Sequence, residues 1–127
     1  MRVLLDTHAF LWWMTDDGRL SPRARTVILD PGSELMLSAA SAWEIATKLA
    51  RGRLRLPVTI HGVQAEVERQ RIERMPVRFE DAITAGGLPR HHGDPFDRML
   101  VAQAQALGCP ILTRDPDIAR YAVETIW

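Results

Sequence analysis

Five acidic residues stand where apolar runs give way to turns or helix starts, and carboxylates so placed could hold a hard metal ion. Asp6 directly follows Val3-Leu4-Leu5, and Asp115 follows Ile111-Leu112-Thr113-Arg114. Glu44 lies early in a strongly helical stretch, while Asp94 and Asp97 open another in Asp94-Pro95-Phe96-Asp97-Arg98. Each also has an ordinary structural explanation. Asp6, Asp94 and Asp115 suit helix N-caps. Glu44 completes a capping box with Ser41 and precedes Lys48 by four residues, a favourable helical pair. Asp97, in a first turn, complements the helix dipole by about 0.3–1 kcal/mol.

The elements that must position these residues alternate between strand and helix. Val3–Leu5 reads as a buried strand, followed by a helix carrying Phe10, Leu11 and Met14. Ser21-Pro22 starts a second helix, with Ala24, Val27 and Ile28 as its apolar face. Leu35–Leu37 is the next strand, and a helix spans about Ala40–Ala50, closed by Gly52. Thr59 caps a helix with Ile60, Val63 and Val67 at spacings of three and four. Met75–Val77 is a short strand and Phe79–Ala85 a helix ending at Gly86-Gly87. Asp94-Pro95 begins a helix with Phe96, Leu100 and Leu107 on one side, stopping at Gly108. Ile111-Leu112 is a last buried strand, before a brief helix and an extended terminus at Ile126-Trp127. The pattern predicts an α/β fold: one domain over residues 1–127, with a central, mostly parallel sheet of four or five strands and helices on both faces.

In such sheets ligands sit beyond the carboxyl ends of the strands. Asp6, Glu44, Asp97 and Asp115 are all expected at that edge. Two unit charges about 4 Å apart repel by around 4 kcal/mol at an effective dielectric of ~20. A cluster of four therefore implies raised pKa values or a bound cation. Oxygen-only ligands favour Mg²⁺ or Mn²⁺. Zinc fits less well, because the adjacent His91 and His92 point differently and do not form a chelating pair at helical spacing. A phosphatase with Asp6 as nucleophile is also a poorer fit: a second acid is wanted two residues on, where His8 stands.

The composition, 46% hydrophobic and 25% charged in 127 residues, is that of a globular chain with enough length for a core. No apolar run approaches the roughly 20 residues of a membrane span. With no basic segment leading into a long apolar stretch, a cytoplasmic location is expected. The lone Cys109 excludes an internal disulfide framework. Net charge is zero, which argues against purely electrostatic nucleic-acid binding. All but one of the 16 basic residues are Arg, the better bidentate phosphate ligand, although coding bias gives the same skew. Trp12 and Trp13 point about 100° apart on a helix, so one of them is expected to meet a partner.

Four stretches taken together resemble the PIN-domain ribonucleases, in particular the VapC-like toxins of bacterial toxin–antitoxin pairs. They are Leu4-Leu5-Asp6-Thr7-His8, the run from Ser38 through Ala42-Trp43-Glu44 to Lys48, the run from His92 through Asp94-Pro95-Phe96-Asp97 to Ala104, and Leu112-Thr113-Arg114-Asp115. They occur in the family's order and span nearly the whole chain. The resemblance implies a metal-dependent endoribonuclease using one or two Mg²⁺ or Mn²⁺ ions, with Asp6, Glu44, Asp97 and Asp115 as the metal-binding catalytic acids. Thr113 matches a position that orients the last acid. Asp94 then acts as cap or outer ligand, and Thr7 is an auxiliary. Arg98, Lys48 and His92 become candidate substrate contacts, against the plainer reading of solvated side chains. The implied partners are RNA, an antitoxin protein and a second copy of the chain. The competing class is a non-catalytic partner-binding module whose acids only cap helices.

Overall fold

The computed structural model describes residues 1–127. The elements run β1 (Arg2–Leu5), α1 (Thr7–Met14), α2 (Pro22–Leu29), β2 (Glu34–Ser38), α3 (Ala39–Ala50), α4 (Ile60–Arg69), β3 (Glu73–Met75), α5 (Phe79–Gly87), α6 (Pro95–Leu107), β4 (Ile111–Leu112) and β5 (Thr125–Ile126). The five strands form one parallel sheet in the order β3-β2-β1-β4-β5. This is the expected α/β architecture.

Strand side chains alternate between faces, and each face has its own core. Val3, Leu5, Leu37 and Leu112 meet Phe10, Trp12, Ile28, Ile45, Val63 and Val67 on one side. Leu4, Met36 and Ile111 meet Leu100, Val101, Ala104 and Ile118 on the other. Strands buried on both faces read as continuous apolar runs, which is why Val3-Leu4-Leu5 was recognisable. Trp12 is buried, and Trp13 is half-buried against the same cluster, so Trp13 is the one of the pair that keeps an exposed face. The most exposed tryptophan is Trp43.

Two boundaries and one helix face differ from the sequence reading. The short strand is Glu73–Met75, two residues earlier than expected, because Pro76 has no N–H to continue the ladder. On α6 the core face is Leu100, Val101 and Ala104, while Phe96 turns to Trp43 at 5.3 Å and Leu107 is exposed. The N-cap of α3 is Ser38, whose hydroxyl accepts from the Ala40 amide at 3.0 Å, so no capping box forms at Ser41. Helix α6 ends as expected at Gly108, with φ 64°.

The same substitution should act oppositely at two glycines. Gly108→Ala places a Cβ at left-handed φ and should destabilise by about 1–2 kcal/mol. Gly86→Ala, in α5 with open space around it, should stabilise by about 0.5–1 kcal/mol. Urea unfolding of both variants checks the pair of signs.

Candidate metal centre

The chain builds β1, β2 and β3 on one side of the sheet and then crosses to place β4 on the far side of β1. The order therefore reverses between β1 and β4, and open α/β sheets bind ligands at such a point. Pairing of Leu5 with Leu112 brings the residues after each strand together. Asp6 donates its amide to the Leu112 carbonyl at 3.1 Å, and its own carbonyl receives the Phe10 amide of α1.

Asp6 occupies the N-cap position of α1, yet its side chain caps nothing. Its Oδ2 accepts from the Thr113 hydroxyl at 2.8 Å, and Oδ1 is buried with no hydrogen-bond partner. The same Thr113 oxygen accepts from the Asp115 amide at 3.0 Å. One buried hydroxyl thus ties the end of β1 to the turn after β4. Asp115 Oδ1 in turn accepts from the Asp117 amide at 2.8 Å.

Glu44 reaches the cluster from the second turn of α3 and is buried. Lys48 donates to its Oε2 at 2.6 Å, the helical pair read from the sequence, while Oε1 is buried without a partner. Ser41, which sequence reasoning assigned to a capping box, instead accepts from the Thr7 hydroxyl at 2.8 Å and fastens α1 to α3. Asp94 is the working N-cap of α6, accepting from the Phe96 amide at 2.9 Å. Asp97, one turn in, is buried.

His92 sits between two of the acids. Its Nε2 lies 2.9 Å from Asp115 Oδ2 and 3.0 Å from Asp97 Oδ2. In the neutral ring Nδ1 accepts from the Asp94 amide at 3.1 Å, which assigns the proton to Nε2, facing both carboxylates. Its backbone amide donates to the Tyr121 hydroxyl at 2.9 Å. The Nε2 of His92 and carboxylate oxygens of Asp115 and Asp117 also lie within 4.8 Å of one another. Sequence reasoning gave His92 only a minor part and missed Asp117. A histidine in a polar loop gives no local signal of what its ring will meet.

Arg98 does not face the acids. Its guanidinium donates to the carbonyls of Ala85, Leu88 and Pro89 at 2.9, 3.0 and 2.9 Å and closes the end of α5.

The electrostatics show how crowded these charges are. Burial, and then the charges of Asp115 and Glu44, push the Asp6 carboxyl above its ordinary value, although the Thr113 hydrogen bond acts the other way. Burial and the charges of Asp6 and Asp94 push Asp97 up to about 8. For His92, burial opposes protonation, but the hydrogen bond to Asp115 and the charges of Asp97 and Asp115 outweigh it, so its pKa is raised. Buried carboxylate oxygens without donors, among mutually repelling acids, fit an oxygen-ligated divalent cation. Asp6, Glu44, Asp97 and Asp115 could supply the ligands.

Residues 3–124 match the family model of the PIN domain. The chain belongs to the PIN-domain family. Ribonuclease VapC22 of Mycobacterium tuberculosis is 31% identical to this PIN domain over 114 residues, covering 89% of this chain and 86% of the relative. Among solved structures, VapBC2 from Rickettsia felis has a similar fold, with a TM-score of 0.69 at 13% identity, covering all of this chain and 99% of the other. VapBC-1 from nontypeable Haemophilus influenzae gives a TM-score of 0.65 at 18% identity, covering 99% and 97%.

The raised acids set the pH dependence of stability without metal. A carboxyl whose folded pKa exceeds its unfolded value stabilises below the unfolded value, and that contribution is lost as pH rises to the folded value. For Asp97 the window is about pH 4 to 8. His92, also raised, loses its contribution as pH climbs through its folded value, the same direction. Metal-free wild type should therefore lose melting temperature relative to Asp97→Asn between about pH 5 and 8. Parallel curves would show that Asp97 ionises normally.

Proposed function

We propose that this chain is a metal-dependent endoribonuclease and the toxin of a toxin–antitoxin pair. The observation that carries the reading is that Asp6, Glu44 and Asp97 are buried close enough to feel one another's charge, with Asp115 acting on Asp6 as well, and that Asp6 and Glu44 each leave a buried oxygen unpartnered. The relationship to a protein named a ribonuclease supports RNA as substrate. A module whose acids only cap helices accounts for Asp94, but not for Asp6, which stands at an N-cap and does not cap.

In this reading the four acids hold Mg²⁺ or Mn²⁺, with Asp94 fixing the start of α6 as cap. When bound, the cation supplies an activated water and offsets charge on the non-bridging phosphate oxygens. Thr113 is a positioning residue, since it sets the rotamer of Asp6 and the backbone of Asp115 together. Thr7, through Ser41, holds α1 at the distance from α3 that keeps Glu44 near Asp6. Glu44 is the proton acceptor: Oε1 takes a proton from the attacking water as its oxygen bonds to phosphorus, the bond from phosphorus to the 3′ oxygen breaks, and the departing 3′ oxygen takes a proton from solvent. Lys48 keeps the other carboxylate oxygen fixed. His92, with its Nε2 proton between Asp97 and Asp115, is a positioning residue for those two carboxylates rather than a substrate contact. Arg98 is a structural clamp here rather than a substrate contact.

The partners proposed are an antitoxin protein and a second copy, on a chain read as one domain. Complexes named VapBC among the solved relatives support the first. The second is supported by exposed apolar side chains on neighbouring helices: Trp43 at 68%, packed on Phe96, and Phe79 and Ile83 at 81% and 66% along α5. Exposed apolar groups of this size mark protein interfaces. No helix is long and apolar enough to cross a membrane, consistent with a cytoplasmic site of action.

Metal-stripped protein should cleave a mixed RNA pool only when Mg²⁺ or Mn²⁺ is added. Asp6→Asn should lose more than about a hundredfold in rate, reflecting the several kcal/mol a bound cation contributes. Thr113→Val should lose about 10–100-fold, as outer-shell partners of metal ligands do. Cleavage without added metal, or an active Asp6→Asn variant, overturns the reading. Trp43→Arg should convert a dimer to a monomer in sedimentation analysis; an unchanged dimer places the interface elsewhere.

A further inference from the structure

Two cavities open beside the acids and run into one another. One, of about 320 Å³, is lined by Asp6 and Asp115 together with His8, Trp12, Arg19 and Arg114. The other, of about 410 Å³, shares His8, Trp12 and Arg19 and continues past Glu44 and Lys48 to Arg53 and Arg55. Together they form a trough leading from the carboxylates, along α1, to the segment joining α3 to α4.

The trough carries the carboxylates of Asp6, Asp17, Glu44 and Asp115 and a group of cations beside them. These cations are Arg19, Lys48, Arg53, Arg55 and Arg114. Arg19 is held by both oxygens of Asp17, at 3.1 and 2.8 Å, and Lys48 by Glu44. Arg53, Arg55 and Arg114 are exposed and pair with no carboxylate. Arg114 lies over the Trp12 ring, 4.5 Å from its centroid, and Arg19 at 4.9 Å, so one indole carries two guanidinium groups. At the far end exposed Arg53 and Arg55 alternate with half-buried Leu54 and Leu56, which pack on the core. Both arginines line the same cavity. Unpaired guanidinium groups in a concave surface are suited to bidentate contacts with phosphate.

We propose that this trough is the track of the RNA strand, with Arg114 binding a phosphate next to the acids and Arg53 and Arg55 binding phosphates at its far end. The ligand class rests on the ribonuclease reading above; the placement rests on the arginines. It accounts for how a chain of zero net charge can engage a polyanion: the positive groups are local to the path.

The test is fluorescence anisotropy of a labelled single-stranded oligoribonucleotide against metal-stripped protein, over a series of salt concentrations. Each phosphate contact on a single strand contributes about 0.7 to the slope of log affinity against log salt. Arg114→Ala should lower the slope by about 0.7, and the double variant Arg53→Ala/Arg55→Ala by about 1.4, each with severalfold weaker binding. Arg71→Ala, where the strands begin at the opposite end of the sheet, should change neither. Slopes and affinities equal to wild type in the trough variants overturn the proposal. So does a trough that binds a glutamate-rich peptide and not RNA. Metal-dependent cleavage by wild type with unchanged slopes sinks the track and leaves the ribonuclease. RNA binding lost in the trough variants, with no cleavage by wild type under any metal, does the reverse.

Discussion

Parallel pairing of β1 with β4 is the constraint on which the site depends. Because Leu5 stands opposite Leu112, the next residues of both strands arrive side by side at the point where the strand order reverses. Asp6 and Asp115 are then neighbours whatever their charges prefer. The repulsion is borne by apolar packing on both faces of the sheet, where Val3, Leu4, Leu5, Ile111 and Leu112 are fully buried. Removing a large buried aliphatic side chain from such a core costs about 2–5 kcal/mol, comparable to the repulsion between two close carboxylates.

A second set of contacts converts proximity into geometry. Thr113 bonds to Asp6 and Asp115 at once, Ser41 joins α1 to α3, and His92 bridges Asp97 and Asp115. These groups are uncharged or only partly charged, so they fix rotamers without neutralising the carboxylates. Burial, together with the charges of neighbouring acids, keeps Asp6 and Asp97 raised despite the presence of Thr113 and His92. On the reading proposed above, a bound cation is what relieves this arrangement.

Much of this was legible in the sequence, for definite reasons. Strands buried on both faces leave unbroken apolar runs, and Asp6 and Asp115 sit just past two of them. Asp94-Pro95 is a helix start with a cap and a fixed φ, which locates Asp97 one turn later. Glu44 was harder, because a capping box and a helical ion pair each explain a glutamate there. Only the ion pair forms, since the helix begins three residues earlier at Ser38. What could not be read depends on contacts far apart in the chain. Arg98 looks like a residue of the acidic turn, but its partners are carbonyls 9 to 13 positions back. His92 meets Asp115 across 23 residues, and Arg114 and Arg19 meet on Trp12 through the tertiary fold. Adjacent Trp12 and Trp13 point about 100° apart, and accordingly only Trp12 is fully buried while Trp13 stays half-buried at the edge of the same core.

The central claim is that these carboxylates form one divalent-cation site, and direct binding tests it without reference to any substrate. Mn²⁺ titrated into metal-stripped protein can be followed by the loss of the free-ion electron paramagnetic resonance signal. The account predicts saturable binding by wild type that weakens as pH falls, as the acids take up protons, and that is lost in Asp6→Asn. Absence of saturable binding by wild type, or equal binding by the variant, would contradict it.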